Sequence, residues 1–225
     1  MRVLGLDTAT LHASVAVVGE EGVIATAEHA ASPTASAKSG GRTSDVLVAI
    51  DQACRAAGVV PRELDAVAVG AGPGSFTGLR IGMATAKGIA FAAGVPLWAV
   101  SSLAALAHGR PGLVAAVLDA RRGEVFAGLY RDGILVGDER VMAPGELAAW
   151  AGEASYVGDA LAAHPALAPL AERWTHATPT GAAVAQLALA GARVDVLVAG
   201  VPTYIRASEA EIRYPDGIPG ALRKP

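Results

Sequence analysis

Residues 2–24 read RVLGLDTATLHASVAVVGEEGVI, and residues 114–135 read VAAVLDARRGEVFAGLYRDGIL. Each stretch opens with a short apolar run that ends in Leu-Asp, at Asp7 and at Asp119. A polar turn, an alternating strand pattern and then an acidic residue beside a glycine follow in both stretches. The similarity indicates a chain built from two related halves, although two unrelated hairpins would give the same pattern.

The sequence between and after these stretches alternates between helix and strand signals. Helical spacing with a glycine at the end predicts a helix over 44–57 and another over 77–93. Short apolar runs predict strands at 64–69 and 97–100, and an alanine-rich helix is expected near 181–190. The small, polar residues 32–41 (SPTASAKSGG) predict a loop, and the proline-containing stretch 214–225 predicts an irregular tail.

Composition limits the class of protein. The chain has 225 residues, of which 52% are hydrophobic and 17% charged, so it can bury a large core. A net charge of −3 argues against a stand-alone nucleic-acid binder, which needs a basic surface. Cys54 is the only cysteine, and the apolar stretch 187–201 is interrupted by Arg193 and Asp195. We therefore expect a cytoplasmic protein without disulfides and without contact with the membrane.

The glycine-rich stretch GAGPGSFTGLRIG at 70–82 is a candidate phosphate-binding loop. It lacks the Gly-x4-Gly-Lys-Ser/Thr of a phosphate loop, the third glycine of a dinucleotide fingerprint and the Gly-x-Ser-x-Gly of a nucleophile elbow. A helix start after a loop still favours anions through its backbone amides. An anion or nucleotide site therefore remains open as a minor hypothesis for Asp7, Gly72, Gly74 and Ser75.

The helix after this loop carries small residues every four positions, at Gly78, Gly82, Ala86 and Ala90. Such a stripe lets another backbone approach closely, and two glycines inside a helix cost about 1 kcal/mol each relative to alanine. Packing inside the chain and packing against a second subunit both explain the stripe.

Metal and catalytic signals are weak. No two of the five histidines are spaced i, i+4, so a His-x3-His site is absent from the sequence, and no metal site is predicted. Asp7 and Asp119 stand where two-lobed nucleotide enzymes hold a metal-bound water, but aspartate also simply favours turns. No catalytic residue is assigned.

Four stretches nevertheless resemble one family. They are MRVLGLDTAT at the start, GAGPGSFTGLRIGMATAKGIA at 70–90, VSSLAALA from Val100, and LDARRGEVFAGLY at 118–130. Together they resemble TsaB (YeaZ), the dimerisation subunit of the bacterial tRNA threonylcarbamoyladenosine machinery. The resemblance implies an α/β, actin-like/sugar-kinase-like (ASKHA) two-lobed fold, each lobe a mixed sheet with flanking helices. We expect a first lobe at 1–100, completed by a helix from about 181–195, and a smaller second lobe with the tail at 101–225.

The resemblance also implies a function. Proteins like TsaB are scaffolds without catalytic activity or cofactor, required for threonylcarbamoyl transfer to the adenosine adjacent to the tRNA anticodon. The implied partners are a TsaD-like catalytic subunit, a TsaE-like ATPase subunit and a second copy of the chain, with tRNA contacted only through the complex. The alternative is a small-molecule kinase or carbamoyl-type transferase of the same fold that uses ATP, and a further one is a homodimeric module unrelated to tRNA.

The helices that follow the first hairpins are the implied binding surface. We expect a large residue at Gly82 or Ala86 to weaken association while the monomer stays folded. Many relatives carry a His-Ser-Glu-like string before the first long helix, where this chain has Thr43-Ser44-Asp45, which favours a scaffold. The residues predicted to bind a partner are Leu47, Ile50, Cys54, Gly78, Gly82, Met83, Ala86 and Ala90.

Overall fold

The computed structural model describes residues 1–30, 41–198 and 200–206. The predicted loop at 32–41 falls almost wholly outside the described residues, as does the predicted tail at 214–225. Within the described ranges, no helix combines the length and the apolar character that crossing a bilayer requires.

The first lobe is built on a mixed six-stranded sheet in the order β12-β5-β4-β1-β2-β3. The first three strands form an antiparallel meander, whereas β4 and β5 run parallel to β1. The short last strand pairs antiparallel with β5 and closes that edge. The strands are β1 Val3–Asp7, β2 His12–Gly19, β3 Gly22–Ala30, β4 Ala66–Gly70, β5 Leu97–Val100 and β12 Val194–Asp195.

The second lobe repeats this arrangement with shorter strands. A long hairpin, β6 with β7, is followed by two strands that lie parallel on the β6 side. Two short strands pair antiparallel with β7. The strands are β6 Leu113–Arg121, β7 Glu124–Arg131, β8 Ile134–Leu135, β9 Arg140–Met142, β10 Ser155–Val157 and β11 Trp174–Thr175.

In the part of the chain that the structure describes, five α-helices flank the sheets, and 3-10 helices lie at 61–63, 144–146, 160–163 and 165–173. The helix over Phe76–Ala93 is capped at both ends. The Ser75 hydroxyl accepts a hydrogen bond from the amide of Gly78 at its start, and Gly94 follows its last residue in the left-handed conformation (φ 71°). The α-helices are α1 Gly41–Ala56, α2 Phe76–Ala93, α3 Ser102–Ala107, α4 Leu147–Ala151 and α5 Gly181–Leu189.

Strand alternation divides the core of the first lobe into two layers. Leu4 and Leu6 of β1 belong to the apolar cluster shared with α1 and α2, whereas Val3 belongs to the cluster shared with α5. The helices therefore cover both faces of the first sheet, with α1 and α2 on one face and α5 on the other. The prediction of a two-lobed α/β fold with a mixed sheet in each lobe is confirmed.

Candidate functional site

Asp7 ends β1 at the junction of the two lobes and is buried, with 1% of its surface exposed. The backbone amide of Ala9 donates to Oδ1 over 2.8 Å, and the Ser102 hydroxyl donates to Oδ2 over 2.6 Å. Burial raises the pKa of the Asp7 carboxyl, and these two hydrogen bonds oppose that shift. Each oxygen of Asp7 thus already accepts a hydrogen bond from another residue of the chain.

Gly70 lies beside Asp7 because β1 and β4 are parallel neighbours and both strands end at this edge of the sheet. A Cβ atom at position 70 would lie 1.8 Å from the Asp7 Oδ2 atom. Only glycine fits there, so the first glycine of the 70–82 stretch is explained by the packing of a carboxylate rather than by a phosphate.

The rest of the loop is also bound to its own chain. The amide of Ser102 donates to the carbonyl of Gly72 over 2.8 Å, and the amide of Ser75 donates to the carbonyl of Ala9 over 2.7 Å. A Cβ atom at Gly74 would lie 2.5 Å from that of Ala9. Asp7, Gly72, Gly74 and Ser75 do come together in space, as the nucleotide hypothesis requires. Their neighbours, however, are Ala9 and Ser102.

Apolar side chains occupy the region between the two sheets next to this junction. Leu79 of α2 meets α3 and one face of the second sheet in a single buried cluster. A phosphate group that leaves water needs hydrogen bonds or positive charges in its place, and these apolar side chains offer a triphosphate neither. The buried members of this cluster from α2, α3 and the second sheet include Leu79, Leu103, Leu106, Val114, Leu118 and Phe126.

The small-residue stripe of α2 lies against β1 and the turn that follows it. A Cβ atom at Gly78 would lie 2.1 Å from the carbonyl oxygen of Thr8, and one at Gly82 would lie 2.2 Å from the Thr8 hydroxyl. Ala86 and Ala90 are fully buried in the core of the first lobe. The close backbone approach inferred from the sequence is therefore made within the chain.

This placement corrects the predicted binding surface. Of the eight predicted residues, five belong to the buried core of the first lobe, and Gly82 is covered by Thr8. A residue enclosed by its own fold cannot contact a partner without unfolding, so only Leu47, which is 51% exposed, and the partly buried Gly78 remain available. The five core residues are Ile50, Cys54, Met83, Ala86 and Ala90.

The opposite faces of the same two helices carry exposed apolar side chains. Phe91 of α2 is 82% exposed, and Leu47 and Val48 of α1 are about half exposed. Phe91 lies on the side of α2 away from the stripe, as its position along a 3.6-residue helix requires. We call Leu47, Val48 and Phe91 the outer helix surface. Helical spacing identifies residues that share a face without telling which face is buried, so the exposure of Phe91 could not be predicted from the sequence.

The second lobe contains a polar cluster around Asp119, the counterpart of Asp7. Its Oδ1 atom lies 3.0 Å from the Nε2 atom of His164, and its Oδ2 atom lies 3.1 Å from the Arg121 guanidinium. The amide of Asp119 donates to Asp159, whose pKa is raised mainly by burial. Because these groups satisfy one another, the cluster is a structural support of the β6–β7 turn. Among the described residues, no group of three or more His, Cys, Asp or Glu side chains is arranged to hold a metal ion.

Comparison with known proteins gives one family. A family model described as TsaD, tRNA N6-adenosine threonylcarbamoyltransferase, matches residues 33–214. A crystal structure from Pseudomonas aeruginosa, described as similar to the peptidase YeaZ, is 30% identical with a TM-score of 0.72. That match covers 91% of this chain and 99% of the other.

Curated relatives agree. The tRNA threonylcarbamoyladenosine biosynthesis protein TsaB of Bacillus subtilis is 37% identical over 150 residues, covering 63% of this chain and 62% of that protein. TsaB of Escherichia coli is 36% identical over 147 residues, covering 62% of this chain and 60% of that protein. The chain thus spans less than two thirds of the length of these curated relatives.

Proposed function

The chain belongs to the TsaB (YeaZ) family, and from this membership we propose that it takes part in making threonylcarbamoyladenosine in tRNA. In this proposal it acts as a non-catalytic scaffold in the cytoplasm. It binds a TsaD-like catalytic subunit, and a TsaE-like ATPase joins the assembly. In isolation the same surface pairs two copies of the chain, and tRNA is contacted only through the complex.

The observation that carries this proposal is the outer helix surface. A phenylalanine that is 82% exposed gains little from folding, whereas burying it against a partner would remove a large apolar area from water. Aromatic residues are also enriched among those that dominate binding energy at protein interfaces. Phe91, Leu47 and Val48 therefore give α1 and α2 an apolar surface without a role inside the chain.

The absence of catalysis is supported by the junction between the lobes. Asp7 already carries hydrogen bonds from Ala9 and Ser102 on its two oxygens, and the neighbouring space holds leucine and phenylalanine side chains. An ATP-using kinase or transferase needs room and charge-stabilising groups at this place. This packing around Asp7 favours the scaffold over the competing enzyme hypothesis.

The first test is reconstitution of tRNA modification. Unmodified tRNA is incubated with TsaD-like and TsaE-like subunits and a supply of threonylcarbamoyl adenylate, with or without this chain, and the modified nucleoside is quantified by mass spectrometry. We expect modification only when the chain is present. Equal modification without it would contradict the proposed role and favour an interaction module unrelated to tRNA.

A matched pair of variants tests the surface in the same assay. Phe91→Asp places a charge in the outer helix surface, whereas Ile134→Asp does the same at a second-lobe residue that is 74% exposed. We expect Phe91→Asp to abolish co-purification with the TsaD-like subunit and Ile134→Asp to retain it. Equal binding by both variants would contradict this surface.

Calorimetry with ATP and magnesium tests the enzyme alternative. We expect no binding heat from the chain alone. Binding at micromolar concentrations together with turnover would favour the kinase or transferase and overturn the scaffold assignment.

A further inference from the structure

Residues 203–206 make a further crossing from the first lobe to the second, in addition to two earlier chain connections between the lobes. The first connection leads from β5 into α3, and the second leads from β11 into α5. Ala105 of α3 belongs to the same buried cluster as α5, so these two connections run side by side. The two chain connections thus lie near α5, and the apolar cluster around Leu79 fills the region between the lobes beside them.

The segment 203–206 lies on the other face of the first sheet. The amide of Thr203 donates to the carbonyl of Ala71 over 2.7 Å. The Tyr204 ring lies 5.2 Å from that of Phe76, and its hydroxyl accepts a hydrogen bond from the Arg80 Nε atom over 3.1 Å. These contacts are made with α2 and with the loop before it, whose Gly72 carbonyl accepts a hydrogen bond from the amide of Ser102 in the first connection.

The next two residues attach to the second lobe. Ile205 packs against the apolar cluster between the lobes. The Arg206 guanidinium donates to the carbonyl of Ala120 over 3.0 Å, and its Nε atom lies 3.3 Å from the Glu124 carboxylate. Four consecutive residues therefore contact the 70–75 loop, the outer side of α2, the interlobe core and the β6–β7 turn in succession.

We propose that residues 203–206 form an interlobe clasp that holds the two lobes in one relative orientation. A segment attached to both lobes opposes their separation, because any opening must pull its two attachment points apart. Opening would have to break the Arg206–Glu124 ion pair and pull Ile205 from the apolar cluster. The inference does not depend on the proposed role in tRNA modification.

Interlobe distances measured by double electron–electron resonance test the clasp in the full chain. Spin labels are attached to cysteines that replace the exposed residues Arg62 in the first lobe and Glu153 in the second, with Cys54→Ala as background. The clasp variant combines Tyr204→Ala with Arg206→Ala. Its control is Val198→Ala, at a residue that is 94% exposed in the same C-terminal stretch.

We expect a single narrow distance distribution in the parent and the control. In the clasp variant we expect a broadened distribution with a second, longer distance, and at least tenfold faster hydrogen exchange in peptides covering 70–79 and 118–126. If the clasp variant does not fold, Glu124→Gln breaks the same ion pair from the other lobe, and we expect a smaller broadening in the same direction. An interlobe distance distribution that is unchanged in the folded clasp variant would overturn the proposal. If Glu124→Gln has to replace that variant, an unchanged distribution in Glu124→Gln would overturn it as well.

Discussion

Asp7 is the last residue of β1 and Asp119 lies two residues before the end of β6, and each accepts a hydrogen bond from the backbone amide two residues further along the chain. The donor is Ala9 in the first lobe and Arg121 in the second, each 2.8 Å from the Oδ1 atom. In each sheet the strand then pairs antiparallel with the next strand and parallel with a later one. The repeat inferred from Leu-Asp in the sequence is therefore a repeat of local geometry as well as of topology.

The first prediction concerns the pH dependence that Asp7 gives to stability. Its pKa is raised in the folded chain above the ordinary value of 3.8, so the folded state retains a proton that the unfolded state has lost. The free energy of unfolding should consequently fall as the pH rises from about 3.8 and level off above the folded pKa. Urea denaturation of Asp7→Asn between pH 4 and pH 7 should give a smaller fall than the parent.

The same junction predicts a contrast between two substitutions. Asp7→Ala leaves the buried Ala9 amide and Ser102 hydroxyl without their acceptor, and unmade hydrogen bonds of buried groups cost about 1–3 kcal/mol each. Asp7→Asn keeps an acceptor oxygen and the side-chain volume, so it should lose much less. Equal stability of the two variants at pH 7 would contradict the hydrogen-bonding role.

The second prediction compares two glycines of α2. Gly82→Val forces side-chain atoms onto the Thr8 hydroxyl, and overpacking of this kind costs about 1–3 kcal/mol. Gly88→Ala meets no atom within 4 Å on the exposed side of the helix and should gain roughly 0.5–1 kcal/mol through helix propensity. Thermal denaturation followed by circular dichroism measures both changes. The expectation that a large residue at Gly82 spares the monomer is thus replaced by one of destabilisation.

The third prediction concerns self-association through the outer helix surface. Phe91→Ala should weaken any dimer at least tenfold, since truncation of a dominant interface residue costs about 2 kcal/mol or more. Its effect on the monomer should stay within about 0.5 kcal/mol, as for other exposed positions. Sedimentation velocity over a concentration series measures the dissociation constant of the dimer, and urea denaturation measures the free energy of unfolding. A dimer unaffected by Phe91→Ala but lost in Ile134→Ala would point to the second lobe instead.

The fourth prediction compares two histidines of the second lobe. His164 is 7% exposed and contacts Asp119, so His164→Ala should cost about 2 kcal/mol through lost hydrogen bonding and a cavity. His176 is exposed, and His176→Ala should change stability by less than about 0.5 kcal/mol. Urea denaturation of the two variants at one pH measures both changes in the free energy of unfolding. Equal losses would show that His164 is not a support of the β6–β7 turn.

The sequence by itself determined the two-lobed α/β organisation, most of the helices and strands, and the small-residue stripe of α2. These features depend on spacing over a few residues, such as strand alternation, helical periodicity and the glycines that end helices, and such signals can be interpreted without knowing the rest of the chain.

Only the tertiary structure decided what each face meets. Thr8 fills the groove at Gly78 and Gly82, Ser102 approaches Asp7 from 95 positions away, and Phe91 is left at the surface. Helical spacing shows that residues share a face, but which face is buried depends on contacts between distant segments. For the same reason, the interlobe clasp could not be inferred from residues 201–206 (VPTYIR) alone, because the residues that it contacts, at 71–80 and at 120–124, are far from it in the sequence.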